Sequence, residues 1–301
     1  MSERAGAEAG RQLPSPGEIY LDHVGHFVRD ADAARRALAR AGFTPTPLSV
    51  HVDPAAAADA PRPTGTGNVT AMLARGYIEV LFRTADTALG RELEAGLARY
   101  RGVHLAAFVV ADAAAAHRRL GTLGFRLRPL AEMQRPVDTG AEPGTAAFTV
   151  ARLEAGEMPE GRVQILTHRT EHMVWQPRWL EHANGARSLR SLTIAVSDVE
   201  EAAERFARFT GRTAVVAASG RTIALDRGRI ELTTAEGFAR MLPEVPIPSL
   251  PFMGAYTIRV VSLAALEEIL RSAGVSTRRN AHRLVATFPE ELGHGAWLFE
   301  E

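Results

Sequence analysis

The chain has 301 residues, 46% hydrophobic, 23% charged and 6% aromatic, which excludes a disordered tail or a mini-protein and allows about two domains of ~150 residues. Its 35 basic residues, all Arg, balance 35 acidic ones, so no field of one sign covers the molecule and no nucleic-acid partner is expected. With Cys at 0, disulfides, thiolate metal sites and a cysteine nucleophile are excluded, and any metal must rest on His, Asp, Glu or Gln.

The opening MSERAGAEAGRQLPSPGE mixes charge with small residues, lacks the apolar core of a signal peptide, and predicts a disordered segment over residues 1–17. No later run approaches the ~20 apolar residues of a membrane span. The expectation is a cytoplasmic protein with no membrane partner.

From there a strand, a helix, a glycine and further strands recur four times. The first copy reads LDHVGHFVRD, ADAARRALARAG, then FTPTPLSVH, GNVTAMLAR and YIEVLF. The second reads VHLAAFVVAD, AAAAHRRLGTLG, then FRLRPLAEM, TAAFTVARL and RVQILTH. SLTIAVSD and VEEAAERFARFTG open the third, and AYTIRVVS and LAALEEILRSAG the fourth. Asp30, Asp112, Asp198 and Ser262 are placed to cap the four helices, and Gly42, Gly124, Gly211 and Gly274 to end them. Ala34, Leu38 and Ala41 share one side of the first helix, with Arg35, Arg36 and Arg40 opposite, as expected of a helix lying on a sheet. The stretch from Asp53 to Gly67, rich in Ala, Pro and Gly, predicts a long surface loop.

One βαβββ unit cannot bury both faces of its sheet. Pairing two gives eight strands curved around a cavity with the helices outside, so the fold class is α+β with four modules in two pairs. Residues 18–168 are expected to form the N-terminal pair, 169–188 a Pro-, Asn- and Gly-punctuated linker, and 189–301 a C-terminal pair of shorter modules. Each sheet is expected to be incompletely closed.

This arrangement over residues 18–301 resembles the vicinal oxygen chelate superfamily, which includes glyoxalase I, extradiol dioxygenases, hydroxyphenylpyruvate dioxygenase and bleomycin-resistance proteins. GTGNVTAMLARGYIEVLF and the linker VWQPRWLEHANGA look like the bacterial glyoxalase-like members with two paired domains. The resemblance implies metal ligands at the start of the first strand and the middle of the last strand of each paired unit, which maps to His23, Glu79, His104 and Gln164. Strand alternation places Leu21, His23, Gly25 and Phe27 on one face, Tyr77, Glu79 and Leu81 on another, and Arg162, Gln164 and Leu166 on a third. The matching positions of the second pair are Ser191, Glu231, Tyr256 and Leu298, of which only Glu231 suits a metal ligand, so the chemistry is assigned to the first pair. The second is read as structural or dimerising, and Glu231 as paired with Arg229.

Two histidines, a carboxylate and an amide suit Zn, Ni, Co, Mn or Fe(II). Such an ion would hold two adjacent substrate oxygens and stabilise an enolate or enediolate as a neighbouring C–H proton leaves. Glu79, the lone acid, would then be both ligand and base. Extradiol dioxygenases take their Glu from the strand where this chain has Gln164, which puts isomerase or lyase chemistry ahead of oxygen chemistry. A competing reading has no metal: His23 and His104 hydrogen-bond an organic ligand, Glu79 pairs with an Arg, and an aromatic or antibiotic-like molecule is sequestered among Phe27, Phe82, Phe108 and the linker tryptophans, including Trp175. VHLAAF places its His one residue less regularly than LDHVGHFV, which favours that alternative. His168 is a pocket-rim or ligand-supporting candidate. His26 is expected on the opposite face as a satisfied core histidine beneath the helix. His172, Trp175, Trp179 and His182 form either a clasp between the pairs or a lid, and Asn68 is read as ordering the turn into its strand. No phosphate-cradling glycine loop and no G-x-S-x-G elbow is present. The expected partner is a small molecule, with a homodimer as one option for assembly.

Overall fold

A computed structural model describes residues 11–53, 62–140, 142–280 and 282–301. The first ten residues of the expected disordered segment lie outside that description. Residues 11–17 are tied down instead: Gln12 donates to the Ala74 carbonyl at 2.7 Å, and Arg11 engages Glu18 and Tyr20.

The first module comprises β1 (Ile19–Phe27), α1 (Ala31–Arg40), β2 (Ser49–Asp53), β3 (Arg62–Met72) and β4 (Tyr77–Arg83). After α2 (Ala88–Arg99), the second repeats the pattern as β5 (Gly102–Val110), α3 (Ala113–Thr122), β6 (Ala131–Asp138), β7 (Pro143–Arg152) and β8 (Arg162–His168). A short α4 (Glu171–Val174) leads to the third, made of β9 (Ala186–Ala195), α5 (Val199–Thr210), β10 (Ala214–Ala217), β11 (Gly220–Ala224) and β12 (Arg229–Thr233). Following α6 (Ala235–Met241), the fourth contains β13 (Phe252–Val260), α7 (Leu263–Ser272), β14 (Thr277–Arg279), β15 (Leu284–Thr287) and β16 (Ala296–Glu300).

The four helix starts follow local chemistry. Asp30, Asp112, Asp198 and Ser262 each accept a first-turn N–H, satisfying donors that the helix itself leaves unpaired. The Asp53-to-Gly67 loop is shorter than expected, because Arg62–Gly67 already belong to β3, while residues 54–61 lie outside the described residues.

Strand order in the first half is β1-β4-β3-β2-β6-β7-β8-β5, and β5 returns antiparallel to β1. A single register pair, Val52 with Gln134, joins β2 to β6, so this sheet closes into a barrel where an incompletely closed one was expected. The second half stays open between β10 and β14, whose 4 and 3 residues are too short to meet across the gap.

Two helices missing from the repeat pattern decide what each sheet encloses. In the first half, α2 packs Leu93 and Leu97 against Phe27, Leu81 and Leu105. In the second, Phe238 of α6 and Leu242 just after it fill the concave side against Phe252, Ala255, Val285 and Leu298. Space for a ligand therefore remains in the first barrel.

Candidate functional site in the first barrel

A β-bulge shapes the site. β1 pairs Leu21 with Phe108 but His23 with Ala107, leaving Asp22 as an extra residue. Neighbouring side chains on a regular strand point to opposite faces, and a bulge breaks that alternation. Asp22 and His23 consequently meet, with Asp22 Oδ2 2.7 Å from His23 Nδ1. Leu21, expected beside His23, instead joins the hydrophobic core on the other side of the sheet.

From this pair a buried polar chain runs both ways. His168 Nε2 lies 3.1 Å from Asp22 Oδ1, and His23 Nε2 lies 3.5 Å from Glu79 Oε2. Asn68 Nδ2 donates to Glu79 Oε1 at 2.6 Å. Burial alone would push the Asp22 carboxyl up, but the two imidazoles outweigh it and hold the group below the ordinary carboxylate range. The Asp22 carboxylate thus takes Nδ1–H of His23 and leaves Nε2 facing Glu79. Tyr77 stacks on His23 with ring centres 4.3 Å apart. Asp22 escaped the sequence reading because a strict two-residue period assigns it to the far face. Asn68 lies within β3 and holds Glu79, rather than ordering a turn.

The cleft above this chain has a volume of about 50 Å³ and is lined by His23, His51, Asn68, Glu79, Arg135 and Gln164, among others. His51 donates or accepts with Thr66 Oγ1 at 3.0 Å, and burial pushes its imidazole down to about 4. Arg135, Arg152 and Arg162 share the same walls. Burial lowers all three guanidinium groups, Arg152 to about 10. Glu92 reaches Arg162 at 3.6 Å, whereas no carboxylate among the described residues lies in ion-pair range of Arg135 or Arg152.

Of the four expected metal donors, His23, Glu79 and Gln164 line the cleft and His104 does not. The parallel ladders pair His23 with Tyr77 and Gly25 with Glu79 in the first module, and Leu105 with Arg162 and Ala107 with Gln164 in the second. Leu105 is therefore the counterpart of His23. His104 falls one residue early, stacks on Tyr100 at 3.9 Å and has Nε2 2.7 Å from the Tyr100 carbonyl oxygen. It lines an adjacent recess with Phe27, Arg99 and Arg162. The Gln164 amide oxygen accepts from Arg152 Nε at 3.4 Å. Among the described residues, no group of three or more His, Asp or Glu is arranged to hold a metal ion, so the four residues do not fit the donor set implied by the resemblance.

The aromatic wall differs too. Phe82 and Phe108 point out of the barrel into the main core, Phe108 against Phe209 at 5.7 Å, and Phe27 lies under α2. Tyr77 and Phe148 line the cleft instead. Trp175 donates its indole N–H to the Leu73 carbonyl at 3.1 Å and packs edge-on to His168 and Tyr77. His182 is clamped between Thr44 N–H and the Met72 carbonyl, while His172 is exposed. His26 is satisfied, but at the junction with the second half rather than beneath a helix: Leu292 O and Tyr256 Oη lie 3.0 and 2.9 Å from its two nitrogens. In the second half, Glu231 accepts from Arg229 Nε at 2.7 Å and Thr193 Oγ1 at 2.8 Å. Ser191 bonds Thr257, and Tyr256 accepts from Trp297.

No helix among the described residues is long and apolar enough to cross a membrane. A family model described as a glyoxalase-like domain matches residues 21–210, which takes in the first barrel from the third residue of β1 onward. Of solved structures, a hypothetical protein from Staphylococcus aureus aligns with TM-score 0.65 and 9% identity over 94% of this chain and 99% of that one. A mutant of 4-hydroxymandelate synthase from Streptomyces coelicolor aligns with TM-score 0.54 and 12% identity, covering 95% and 94%. A xylose isomerase-like TIM barrel/4-hydroxyphenylpyruvate dioxygenase fusion protein gives TM-score 0.54 and 12% identity, covering 97% of this chain and 50% of that one. No curated protein matches the sequence. At these identities the structures speak to fold alone, whereas the family match extends over more than half of the sequence: the chain belongs to the glyoxalase-like domain family.

Proposed function

We propose that the first barrel catalyses proton transfer at a carbon beside a carbonyl group, an isomerase or lyase chemistry passing through an enolate. The observation that carries this reading is the 3.5 Å approach of His23 Nε2 to Glu79 Oε2, with the far nitrogen of His23 anchored on Asp22. With Nδ1–H committed, the two facing atoms need one proton between them to avoid opposed lone pairs. Such a pair supplies an acid and a base at adjacent positions. Glu79 takes the C–H proton, the released electron pair forms the C–C double bond, and the carbonyl pair moves onto oxygen. His23 gives that oxygen a proton, and Asp22 stabilises the charged imidazole before the transfer. Return of a proton to the neighbouring carbon completes an isomerisation, and loss of a leaving group from it completes an elimination. The metal-dependent form of this chemistry needs donors that the site does not bring together, so no step is assigned to an ion.

The test is incubation in deuterium oxide with hemithioacetals, oxo acids and catechol-like diols, read by NMR. Solvent deuterium should enter beside the carbonyl of at least one probe, and Glu79→Gln should slow that entry by at least ~100-fold. A probe that binds yet exchanges no faster than in buffer would replace this reading with ligand sequestration. That second reading draws on His23 and His104 as ligand-binding histidines, of which His104 is engaged with the Tyr100 carbonyl.

A further inference from the structure

Three arginines converge on the cleft, and their partners are unequal. Glu92 lies 2.5 Å from Arg128 and 3.6 Å from Arg162, so its charge is shared outside the cavity wall. Arg135 is 93% buried by area, at 7% exposure, with neither a carboxylate nor a hydrogen-bond acceptor among the described residues. Arg152 reaches only the Gln164 amide oxygen and the Met133 sulfur. Taking a guanidinium out of water without a counter-charge is costly, and a fold does not gain that back from an amide and a thioether. Glu79, the one carboxylate lining the cleft among the described residues, is already engaged by Asn68 and faces His23.

A second mismatch lies beside the first. Asn68 is 3% exposed, and while its Nδ2 donates to Glu79, its Oδ1 has no hydrogen-bond partner. Nη2 of Arg162 is buried without a hydrogen bond as well, with Glu92 at 3.6 Å its one ion-pair partner among the described residues. The cleft thus presents unused donors carrying positive charge and one unused neutral acceptor. A neutral or purely apolar ligand satisfies neither.

We infer that the cleft is a recognition site for a small carboxylate that also carries a hydroxyl group, with Arg135 and Arg152 holding the carboxylate and Asn68 Oδ1 accepting the hydroxyl proton. A guanidinium fork matches the two oxygens of a carboxylate, and the hydroxyl places the adjacent carbon beside Glu79. This names the substrate class for the proposed proton transfer and rests on the same cleft, but binding can be measured apart from turnover.

The experiment is titration calorimetry of the full chain with lactate, malate, propionate, phosphate and uncharged propylene glycol. Lactate or malate should bind, propionate more weakly for want of the hydroxyl, and propylene glycol not at all. Arg135→Met and Arg152→Met should each weaken binding by at least about 30-fold, while Glu79→Gln keeps it and loses only deuterium entry. Thermal melting guards against misfolded variants: removing an unpaired buried charge should leave the ligand-free Arg135→Met protein at least as stable as the parent. Binding of propylene glycol as tight as lactate, parental affinity in both arginine variants, or a preference for phosphate over every carboxylate would overturn the assignment. Should the arginine variants lose binding while Glu79→Gln exchanges deuterium like the parent, the carboxylate site stands and the proton-transfer reading fails.

Discussion

Asp22 Oδ2 lies 2.7 Å from Nδ1 of His23, the next residue in the chain, a contact that the bulge in β1 makes available. Asp22→Asn retains the shape but removes the charge that fixes the tautomer of His23 and receives His168. Turnover should fall by about 100-fold or more, as expected when the orienting carboxylate of a histidine base is lost. Stability should drop by about 2 kcal/mol, because a buried charge-assisted hydrogen bond is weakened. Steady-state kinetics and urea unfolding of the variant check both, and parental turnover would show that His23 needs no orientation.

The pH dependence of folding should follow the buried imidazoles. His26 is fully buried, and burial lowers it from its ordinary value to about 4 despite the hydrogen bond to Leu292. Between that value and the ordinary one near 6.5 the unfolded chain binds a proton that the folded chain refuses, so stability is complete above the window and is lost as pH falls through it. The contribution is about 3 kcal/mol. Replacing His26 by Gln should flatten the urea midpoint between those pH values. An unchanged slope in the variant would remove His26 as a source of acid sensitivity.

The repeats, caps and terminal glycines were legible because each is a local decision: Asp30 caps α1 with its own side chain, whatever the rest of the chain does. His23, Glu79 and Gln164 sit on strands and line the cleft. What escaped is non-local or breaks a period. Asp22 depends on a bulge that no composition signal marks, and Arg135 on the closure of β2 against β6. The one warning was the irregular VHLAAF, where a one-residue offset is taken up by a second bulge that leaves His104 unpaired with β1 and sets it against Phe27 and Tyr100, while Leu105 faces the cleft.

Gly42 ends α1 at φ +81°, where a Cβ would come within 2.8 Å of Asn184 Cβ. Asn184 bonds back to the Ala41 carbonyl at 2.8 Å, tying the segment before β9 to the first helix. Gly42→Ala should therefore cost both left-handed backbone strain and a displaced Asn184, about 2 kcal/mol together. Calorimetry should show a melting temperature lower by roughly 5 °C. The cleft lies elsewhere, so turnover at 25 °C should persist; an unshifted melting point would mean that the segment yields freely.

The sharpest contrast concerns the two histidines first matched as ligands. His23 faces Glu79 across the cleft, whereas His104 donates to the Tyr100 carbonyl, and its burial lowers the imidazole to about 4. His23→Ala removes the proposed acid and should reduce deuterium entry by about 100-fold or more. His104→Ala should leave that rate within a factor of about three while lowering stability by about 2 kcal/mol, because the Tyr100 carbonyl loses its donor and two rings lose their stacking partner. Prolonged chelation, followed by elemental analysis of the untagged protein, extends the comparison: the chelated parent should melt and exchange deuterium as before. Stoichiometric metal that disappears equally in His23→Ala and His104→Ala, with activity following it, would show that both histidines reach one ion and that the ladder offset is relieved when it binds.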